Sequence, residues 1–453
     1  MTAVLSFCGL CLLLIAGKAI RVAIPILQRL YLPSAMIGGA LGLILFSTAN
    51  KYIPEAWHAN WGALPGFLIN VVFAALFIGK KIPGFKQIWQ EAAPQFCMGQ
   101  MLAWGQYVVG LTVTLLLLIP LFNVNPAFGN LLEIGFEGGH GTVAGLSQTF
   151  VDFNWEAGRD LGFTVATIGM VLGIVVGMML VNLAIRRKWV TEVRPFSQQS
   201  CNERRGIYPV NNRPSAGVQT VQSDSIDSLA LHIAAIGLAI LFGYLLKMGL
   251  ASLDNIMPLC VQKLQILKSF PLFPLCLVGG LILQKLLEAV KLNHLICGEQ
   301  IDHLGGAALD FLVISAISSI RLDFVLAYWL PLLILVFCGI SWSLFMVLFM
   351  GPRIFKDHWF EKSIAEFGQS TGVTATGLLL LRTVDSQNKT SAMSSFGYKQ
   401  LLHEPLLGGG IITSLAVPLV ISSGILPFLI FTSLILLFWF GFYLFYLRPR
   451  NKK

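Results

Sequence analysis

The sequence predicts an all-α integral membrane protein, because its composition is far more apolar than that of a soluble domain. Of its 453 residues, 56% are hydrophobic and 12% are charged, and the mean hydropathy is +0.75. Soluble domains carry roughly 25% charged residues. The basic residues behind the net charge of +9 lie in short loops between apolar runs. This is the positive-inside pattern of membrane proteins and gives no reason to expect nucleic-acid binding.

Apolar runs along the chain predict about eleven membrane spans, several of them short. In chain order the runs cover residues 2–17, 32–48, 64–79, 94–120, 161–185, 229–250, 269–289, 305–320, 324–350, 401–421 and 424–446. Two glycine-rich interruptions, at 127–150 and 364–386, are too polar to cross a bilayer as ordinary helices. Irregular backbone at membrane depth is tolerated where it is buried in protein or lines a watery cavity. Each interruption therefore predicts a re-entrant hairpin.

The order of these segments predicts two inverted-topology five-span repeats. The predicted parts are a first repeat at 1–185 with its hairpin at 127–150, a linker at 186–228, a second repeat at 229–421 with its hairpin at 364–386, and an accessory C-terminal span with a basic tail at 422–453. Because five is odd, the two repeats cross the membrane in opposite directions. Interrupted segments at matching positions of inverted repeats are typical of secondary transporters and point to the binding site.

The distribution of basic residues predicts the orientation. The linker is rich in arginine, and counting spans from it places Lys18, Arg21, Lys80 and the C-terminal tail on the same side. The positive-inside rule makes that side cytoplasmic. The sequence therefore predicts an N-terminus outside and a C-terminus inside, in the cytoplasmic (inner) membrane of a bacterium.

The first hairpin combines glycines with ionisable and hydroxyl groups in the run Glu137, Gly138, Gly139, His140, Gly141 and Thr142. The ends of two half-helices offer N–H groups to an anion and free carbonyls to a sodium ion. Glycine allows two backbones and a ligand to approach closely. We predict substrate binding by the five residues from Gly138 to Thr142. Glu137 is predicted to couple an ion, by relaying a proton or binding a cation, although a hydrated mouth is the alternative position for it.

The second predicted hairpin shows a weaker version of the residue pattern of the first. Its predicted roles are substrate binding by Gln369, Ser370, Thr371 and Gly372, and ion coupling by Thr374 and Thr376. Small and hydroxyl residues also pack helices together in membranes, so packing is the alternative for both hairpins. Packing is the favoured reading for Gly169, Gly173 and Gly177, which share one helix face.

Three further polar residues are candidates because charged or polar groups at membrane depth are expensive and often functional. Arg382 follows the second hairpin and is predicted to bind a substrate carboxylate, although it could pair with Asp385 at the cytoplasmic rim. Asn70 and Ser315 lie in corresponding spans of the two repeats and are predicted to take part in ion coupling. A packing or helix-end role is the alternative for both.

These motifs resemble the sodium–glutamate symporter family. Gly138–Thr142 matches the first hairpin motif of that family, Met170–Gly177 is similar to its glycine-rich fifth span, and Phe367–Thr376 stands where its second motif is expected. The resemblance implies glutamate uptake with sodium, two inverted five-span halves, and a homodimer in which a hairpin-bearing core moves against a scaffold. Two departures are Glu137, where the family has a small or hydroxyl residue, and Leu380, where it has a polar amide.

The predicted function is thus sodium-coupled symport of glutamate or a related small carboxylate by an elevator-type mechanism. A proton-coupled or export carrier of a different small substrate is the alternative, favoured by Glu137 and His140. An enzyme is not expected, because the sequence shows no metal-ligand spacing, nucleophile motif or phosphate loop. A channel or sensor would not need two opposed hairpins. No cofactor is predicted apart from sodium as the coupling ion.

Overall fold

A computed structural model describes residues 2–30, 32–49, 53–80, 85–190, 204–209, 211, 213–254, 271–385 and 389–448. Within these ranges all regular secondary structure is helical. The helices are α1 Thr2–Ala23, α2 Pro25–Arg29, α3 Ser34–Ala49, α4 Glu55–Ala75, α5 Phe85–Val113, α6 Ile119–Phe122, α7 Leu131–Phe136, α8 Gly139–Gly145, α9 Ser147–Asp152, α10 Ala157–Arg187, α11 Ser228–Asp254, α12 Leu272–Ala289, α13 Gly298–Ser318, α14 Leu322–Ala327, α15 Trp329–Phe345, α16 Gly351–Ile354, α17 Trp359–Val384, α18 Ala392–His403, α19 Ile411–Ser423 and α20 Ile425–Phe442.

Eight helical segments in the described ranges are long and apolar enough to cross a membrane, so this is an integral membrane protein. They are Val4–Ala23, Trp89–Phe122, Ala157–Arg187, Ser228–Leu253, Leu272–Ala289, Gly298–Ser318, Trp329–Ile354 and Ile425–Leu447. Two shorter apolar helices cover Ser34–Thr48 and Ile411–Ser423. The count of eleven spans stays a prediction.

The end of the chain differs in detail from the apolar pattern. The run at 401–421 is not one helix, because α18 ends at His403 and α19 begins at Ile411. The connection between them turns through Gly408 and Gly409, which have φ angles of 66° and 108°. Such angles are readily adopted only by glycine. Part of the linker at 186–228 and the last residues of the basic tail lie outside the described residues.

Three long helices, α5, α15 and α20, are followed by a π-helical segment, and the first two of these segments each precede a proline in the described residues. After α5 the segment Thr114–Leu118 precedes Pro120, and after α15 the segment Met346–Met350 precedes Pro352. A proline has no N–H to donate to the preceding turn, so the helix widens just before it. The two wide turns occupy the same place in the two predicted repeats.

The helices pack into two groups. We call α1, α3, α4, α11, α12 and α13 the frame, and α5, α7, α8, α10, α15, α17, α18 and α20 the core, because each group packs mainly within itself. The short helix α8 connects them, since it packs against α4 and α13 of the frame as well as against α10. The first glycine motif therefore lies where core meets frame.

Candidate functional site

The core contains two breaks in helical backbone, and they touch. The first lies between α7 and α8, where Gly139 has a φ of +67°. The second lies inside α17, where Gly372 has φ −154° and ψ 37°, and Val373 has φ 63° and ψ 171°. A Cβ built on Gly139 would overlap the side chain of Val373. Gly139 and Gly372 are 233 residues apart in the sequence. The two glycine-rich segments nevertheless meet at their breaks.

Helix α17 folds back on itself at the second break. A Cβ built on Gly368 would lie 2.6 Å from the Cα of Gly377, and one on Gly377 would lie 2.5 Å from the carbonyl oxygen of Ala365. In a continuous helix nine residues would separate Gly368 and Gly377 by about 13 Å. The two arms can lie this close only because both positions lack a side chain.

Three glycines of α10 pack directly against the second broken helix. A Cβ on Gly169 would lie 2.5 Å from the carbonyl oxygen of Thr371, and one on Gly173 would lie 2.6 Å from its Oγ1. Gly177 meets Leu380 at 2.5 Å in the same way. The predicted packing role of these three glycines is therefore confirmed.

Glu137 stands at the first break, and side chains from α17 and α18 contact it. His403 Nε2 of α18 lies 2.6 Å from Glu137 Oε1, and Gln369 Nε2 of α17 lies 3.4 Å from the same oxygen. The second oxygen, Oε2, has no hydrogen-bond partner, although Glu137 is only 4% exposed. The carboxylate is thus fixed on one side and open on the other.

Lys399 is buried on the far side of Gln369. Its Nζ lies 2.8 Å from Gln369 Oε1 and 3.1 Å from Glu366 Oε2, and its side chain is fully buried. Gln95 of α5 donates to Glu366 Oε1 at 2.8 Å. Gly99 leaves the room for this pair, because a Cβ there would overlap the Lys399 side chain. A buried ion pair of this kind is stable only while both partners are present.

The donors in this cluster have a fixed direction. An indole N–H can only donate, so the contact of Trp104 Nε1 with Gln100 at 2.9 Å identifies Oε1 of the Gln100 amide. The Gln100 NH₂ group then donates to His403 Nδ1 at 3.1 Å. His403 is therefore neutral, with its hydrogen on Nε2, and donates it to Glu137 Oε1. An ammonium can likewise only donate, so Lys399 fixes Gln369 with its NH₂ group toward Glu137.

Two donor chains consequently converge on one carboxylate oxygen. We call these chains, together with Glu366 and its donor Gln95, the Glu137 network, which consists of Gln95, Gln100, Trp104, Glu137, Glu366, Gln369, Lys399 and His403. In a low-dielectric interior such chains polarise one another and strengthen the final contact. The arrangement stabilises negative charge on Glu137.

Glu133, one turn before Glu137, is also fully buried but is well satisfied. Tyr107 donates to its Oε2 at 2.6 Å, and Thr413 and the backbone N–H of Gly408 donate to its Oε1 at 2.8 and 2.9 Å. These donors come from α5, α19 and the turn between α18 and α19. Glu133 therefore ties the first break to its surroundings.

The other predicted residues of the first break are buried close to that turn. Thr142 donates to the carbonyl oxygen of Gly138 at 2.9 Å, and a Cβ on Gly409 would overlap its Oγ1. A Cβ on Gly141 would overlap Ile69 of the frame. Thr142 and Gly141 therefore both lie where another segment of the chain comes into close contact with the first break.

His140 is 2% exposed and presents a second unpartnered acceptor. Its Nε2 lies 2.9 Å from Thr167 Oγ1, and that hydroxyl donates to the carbonyl oxygen of Phe163 at 2.8 Å. His140 must therefore donate through Nε2, which leaves Nδ1 without a hydrogen. Nδ1 has no partner. The first break thus holds two buried acceptors that lack a donor.

The predicted residues of the second break are also buried at the core. Thr371 and Ser370 donate to the carbonyl oxygen of Phe367 at 2.7 and 3.3 Å, and Gln106 of α5 donates to the carbonyl oxygen of Ser370. A hydroxyl that donates backward in this way keeps oxygen lone pairs free to accept.

Threonine residues after the break take part in a second short chain of donors. Gln400 donates to Thr374 Oγ1 at 2.8 Å, and Thr374 donates to Glu404 Oε1 at 3.0 Å. Thr376 is buried, and its Oγ1 would lie 2.9 Å from a Cβ on Gly372. Both residues therefore belong to the neighbourhood of the break.

Three predicted residues are not brought into this cluster. Arg382 is exposed, ten residues beyond Gly372, which corresponds to about 15 Å along a helix. Ser315 donates to the carbonyl oxygen of Phe311 within α13 of the frame, at 2.7 Å. Asn70 donates within α4 to the carbonyl oxygen of Gly66, at 2.9 Å. Their functional roles stay predictions.

Asn70 does line one of two neighbouring cavities between frame and core. The first, of about 310 Å³, also contacts Ala144, Gln148 and Lys247, and the second, of about 420 Å³, contacts Arg159 and Arg321. Both are lined by Gly62, Ala63 and Ser147. Arg321 is held at 3.0 Å by Asp160, whereas Arg159 donates to Ser319 Oγ at 3.1 Å.

The sequence analysis missed Lys399 and His403, the two most important partners of the breaks. They lie four residues apart on α18, hence on one face of the helix. Lys399 lies just before the apolar run at 401–421, and His403 lies inside that run, near its start. A lysine and a histidine at this spacing, after a predicted hairpin, were the available signal.

A protein-family model for the sodium/glutamate symporter matches residues 1–359. The chain belongs to the sodium/glutamate symporter family. Together with its apolar membrane-crossing helices, this membership identifies a sodium-coupled transporter in a membrane, acting on a small substrate, and confirms the resemblance inferred from the motifs. A search of curated proteins finds no match. The matched region contains the first break and the frame, whereas the second break, Lys399 and His403 lie beyond it.

Proposed function

We propose that this symporter carries glutamate or a related small carboxylate into the cell together with sodium, by an elevator-type movement of the core against the frame. The observation that carries the proposal is the meeting of two helix breaks at a buried polar cluster, next to cavities that separate core from frame. Helix ends at such a meeting point offer N–H groups to an anion and carbonyl groups to a cation.

The proposed plan is that of two inverted repeats at 1–185 and 229–421, with re-entrant hairpins at 127–150 and 364–386 and an accessory segment at 422–453. The matching wide turns before Pro120 and Pro352 support it, since each comes just before a broken segment. The close packing of Gly368 on Gly377 supports a hairpin in the second repeat.

We also propose an N-terminus outside and a C-terminus inside, in a bacterial cytoplasmic membrane. Contacts among the basic segments support this, because Lys18 donates to the carbonyl oxygens of Arg205 and Gly206 at 3.0 and 2.9 Å. The linker also meets the start of α13, where Gln300 donates to the carbonyl oxygen of Val218 at 2.8 Å. These segments therefore share one face, as the positive-inside rule requires of them.

The substrate is proposed to enter through the two cavities, at the opposite face. Arg159 lines the larger cavity, where it donates to Ser319 and supplies positive charge that attracts a carboxylate, whereas Arg321 beside it is paired with Asp160. The substrate then reaches the residues from Gly138 to Thr142 and those from Gln369 to Gly372. Sodium coupling is proposed to involve the hydroxyls of Thr374 and Thr376 and, at the frame, Asn70 and Ser315.

Uptake into proteoliposomes tests the activity. With an inward sodium gradient the purified full-length protein is expected to accumulate labelled L-glutamate, and a sodium ionophore should abolish the accumulation. A screen of other small carboxylates and amino acids in the same vesicles identifies the preferred substrate. Failure to accumulate any of them with sodium would contradict the proposal.

A cross-link between core and frame tests the mechanism. In a cysteine-free background, oxidation of an Ile69→Cys/Gly141→Cys pair should stop uptake, and reduction should restore it, because the link joins α4 to α8. The matched control is Ala75→Cys/Gly305→Cys, since a Cβ on Gly305 would lie 3.3 Å from the Cβ of Ala75 inside the frame, within reach of a disulfide. An oxidised core–frame pair with undiminished uptake would exclude an elevator movement at this interface.

The protein is proposed to act as a homodimer held through the frame.

A further inference from the structure

The starting observation is that Glu137 is fixed on one oxygen and unpartnered on the other. His403 and Gln369 both donate to Oε1, whereas Oε2 is buried with no donor. An ionised carboxylate with an unsatisfied buried oxygen is costly. Either a cation or a proton has to arrive there during the working cycle.

The charges around Glu137 lead to the same conclusion. Three carboxylates, Glu133, Glu137 and Glu366, are at most 4% exposed, and the Lys399 ammonium forms an ion pair with one of them, Glu366. The direction of the Trp104 and Gln100 hydrogen bonds makes His403 neutral. Three negative charges against one positive charge at membrane depth require compensation.

The remaining groups determine which of the three carboxylates is uncompensated. The titratable groups facing this region are Tyr107 from α5, Glu133 from α7, His140 from α8, Glu366 from α17, and Lys399, His403 and Glu404 at α18. Glu366 is paired with Lys399, and Glu133 receives three donors. Glu404 accepts from Thr374. Glu137 is the carboxylate that faces a neutral partner and keeps a free oxygen.

A sodium ion is poorly suited to this position. Hard cations are bound by several oxygen atoms, whereas the two groups that contact Glu137 present N–H hydrogens. The positive ends of these N–H dipoles point at the site. A proton needs only the one oxygen that is free.

We propose that Glu137 is a proton-binding site of the transport cycle, ionised when the carrier is empty and protonated on Oε2 when the substrate is bound. This inference rests on the proposed uptake of an anion. Protonation removes a negative charge beside an anionic substrate, so proton and substrate favour each other's binding and travel in the same direction. Glu137 lies inside the region matched by the symporter family, whereas the side chains that hold it, His403 and Gln369, lie beyond that region, as does Lys399.

The test is a count of protons moved with the substrate. Full-length protein is placed in vesicles that contain a pH-sensitive dye, and labelled L-glutamate is added at a fixed sodium gradient. We expect about one proton to enter per glutamate. Glu137→Gln should lower the ratio of protons to glutamate at least ~10-fold, whatever uptake remains, because the amide cannot take up a proton. Glu137→Asp, which retains a carboxylate, should keep the ratio.

Glu288→Gln is the matched control, because it neutralises a partly exposed carboxylate that pairs with Lys285 on α12, and it should move protons as the wild type does. Glutamate uptake without acidification by the wild type, or an unchanged ratio in Glu137→Gln, would overturn the proton site and leave sodium-coupled uptake standing.

A second measurement tests whether Glu137 binds a proton, even if the wild type takes up no glutamate. Infrared spectra of the full-length protein, recorded over a range of pH, should show the C=O band of a protonated carboxyl group that disappears as the pH rises. That band should be missing from Glu137→Gln and present in Glu288→Gln. A wild-type spectrum that the Glu137→Gln substitution leaves unaltered would refute the proposal independently of any transport assay.

Discussion

The two helix breaks perform the same structural task with opposite means. At the first, Gly139 adopts its φ of +67° without strain, because glycine has no Cβ. At the second, Val373 adopts φ 63° and ψ 171°, a region that is almost restricted to glycine and costs about 1–3 kcal/mol for other residues. The first break is therefore relaxed, and the second is held open by its surroundings.

The breaks also differ in where their charges originate. Glu133, Glu137 and His140 belong to the first break itself, whereas the second helix contributes Glu366 and takes the compensating positive charge from Lys399 of α18. The second break thus depends on tertiary packing for both its backbone and its electrostatics. The comparison suggests that removing a partner of the second break should cost more than altering the first.

The largest effect is expected for Lys399→Met. The substitution leaves Glu366 buried and unpaired, which should lower the free energy of unfolding by about 3–5 kcal/mol. Denaturation of the detergent-solubilised protein measures it. Adding Glu366→Gln to Lys399→Met should recover most of the loss, because neither charge then remains. A stability of Lys399→Met equal to that of the wild type would show that the pair is not buried as described.

A smaller effect is expected at the contact of the two tips. Gly139→Ala forces a Cβ into a left-handed conformation, at a cost of about 1–2 kcal/mol, and into the side chain of Val373. Uptake should fall by about tenfold or more, since each 1.4 kcal/mol corresponds to a factor of ten. Val373→Gly added to it should restore uptake in part, because the overlap disappears while the left-handed strain at residue 139 remains.

Gly397→Ala is the control for this prediction, since Gly397 lies in α18 with no atom near a built Cβ. Equal losses in Gly139→Ala and Gly397→Ala would mean that the contact between the tips is unimportant.

A modest effect is expected for Trp104→Phe, which retains an aromatic ring and removes the N–H. Loss of one hydrogen bond should cost about 1 kcal/mol, and the Gln100 amide becomes free to turn. It can then offer Oε1 to a hydrogen on His403 Nδ1, which favours the doubly protonated imidazole. The midpoint of the uptake-versus-pH curve should consequently move to higher pH. A curve that coincides with that of the wild type would argue against a fixed tautomer.

The smallest effect is expected for Arg382→Ala. An exposed side chain away from specific contacts contributes within about 0.5 kcal/mol, so uptake affinity should change little. If Arg382 bound a substrate carboxylate in a desolvated site, the loss would be about 2–5 kcal/mol. Measuring the apparent affinity for L-glutamate in Arg382→Ala and Lys399→Met side by side shows which of the two basic side chains contributes to substrate binding.

The membrane class and the first break could be predicted from sequence because they depend on local signals. Long apolar runs identify helices, and clustered glycines beside Glu137 and His140 identify an interruption. Val373 could not be identified, because a β-branched residue is the least expected residue at positive φ. Helix α18 was missed because Lys399 and Gln400 look like residues of a solvated loop. They are buried only because carboxylates and amides from other helices, far away in the sequence, complete their hydrogen bonds.

The charge of the Glu137 network has an electrical consequence. With two carboxylates, Glu137 and Glu366, the Lys399 ammonium and a neutral His403, the unloaded network carries about one negative charge. Moving one elementary charge through a membrane potential of 100 mV involves about 2.3 kcal/mol. A voltage that is negative inside would drive the unloaded network outward, and binding of a cation would weaken that force. Displacement of the unloaded network along the membrane normal is therefore electrogenic.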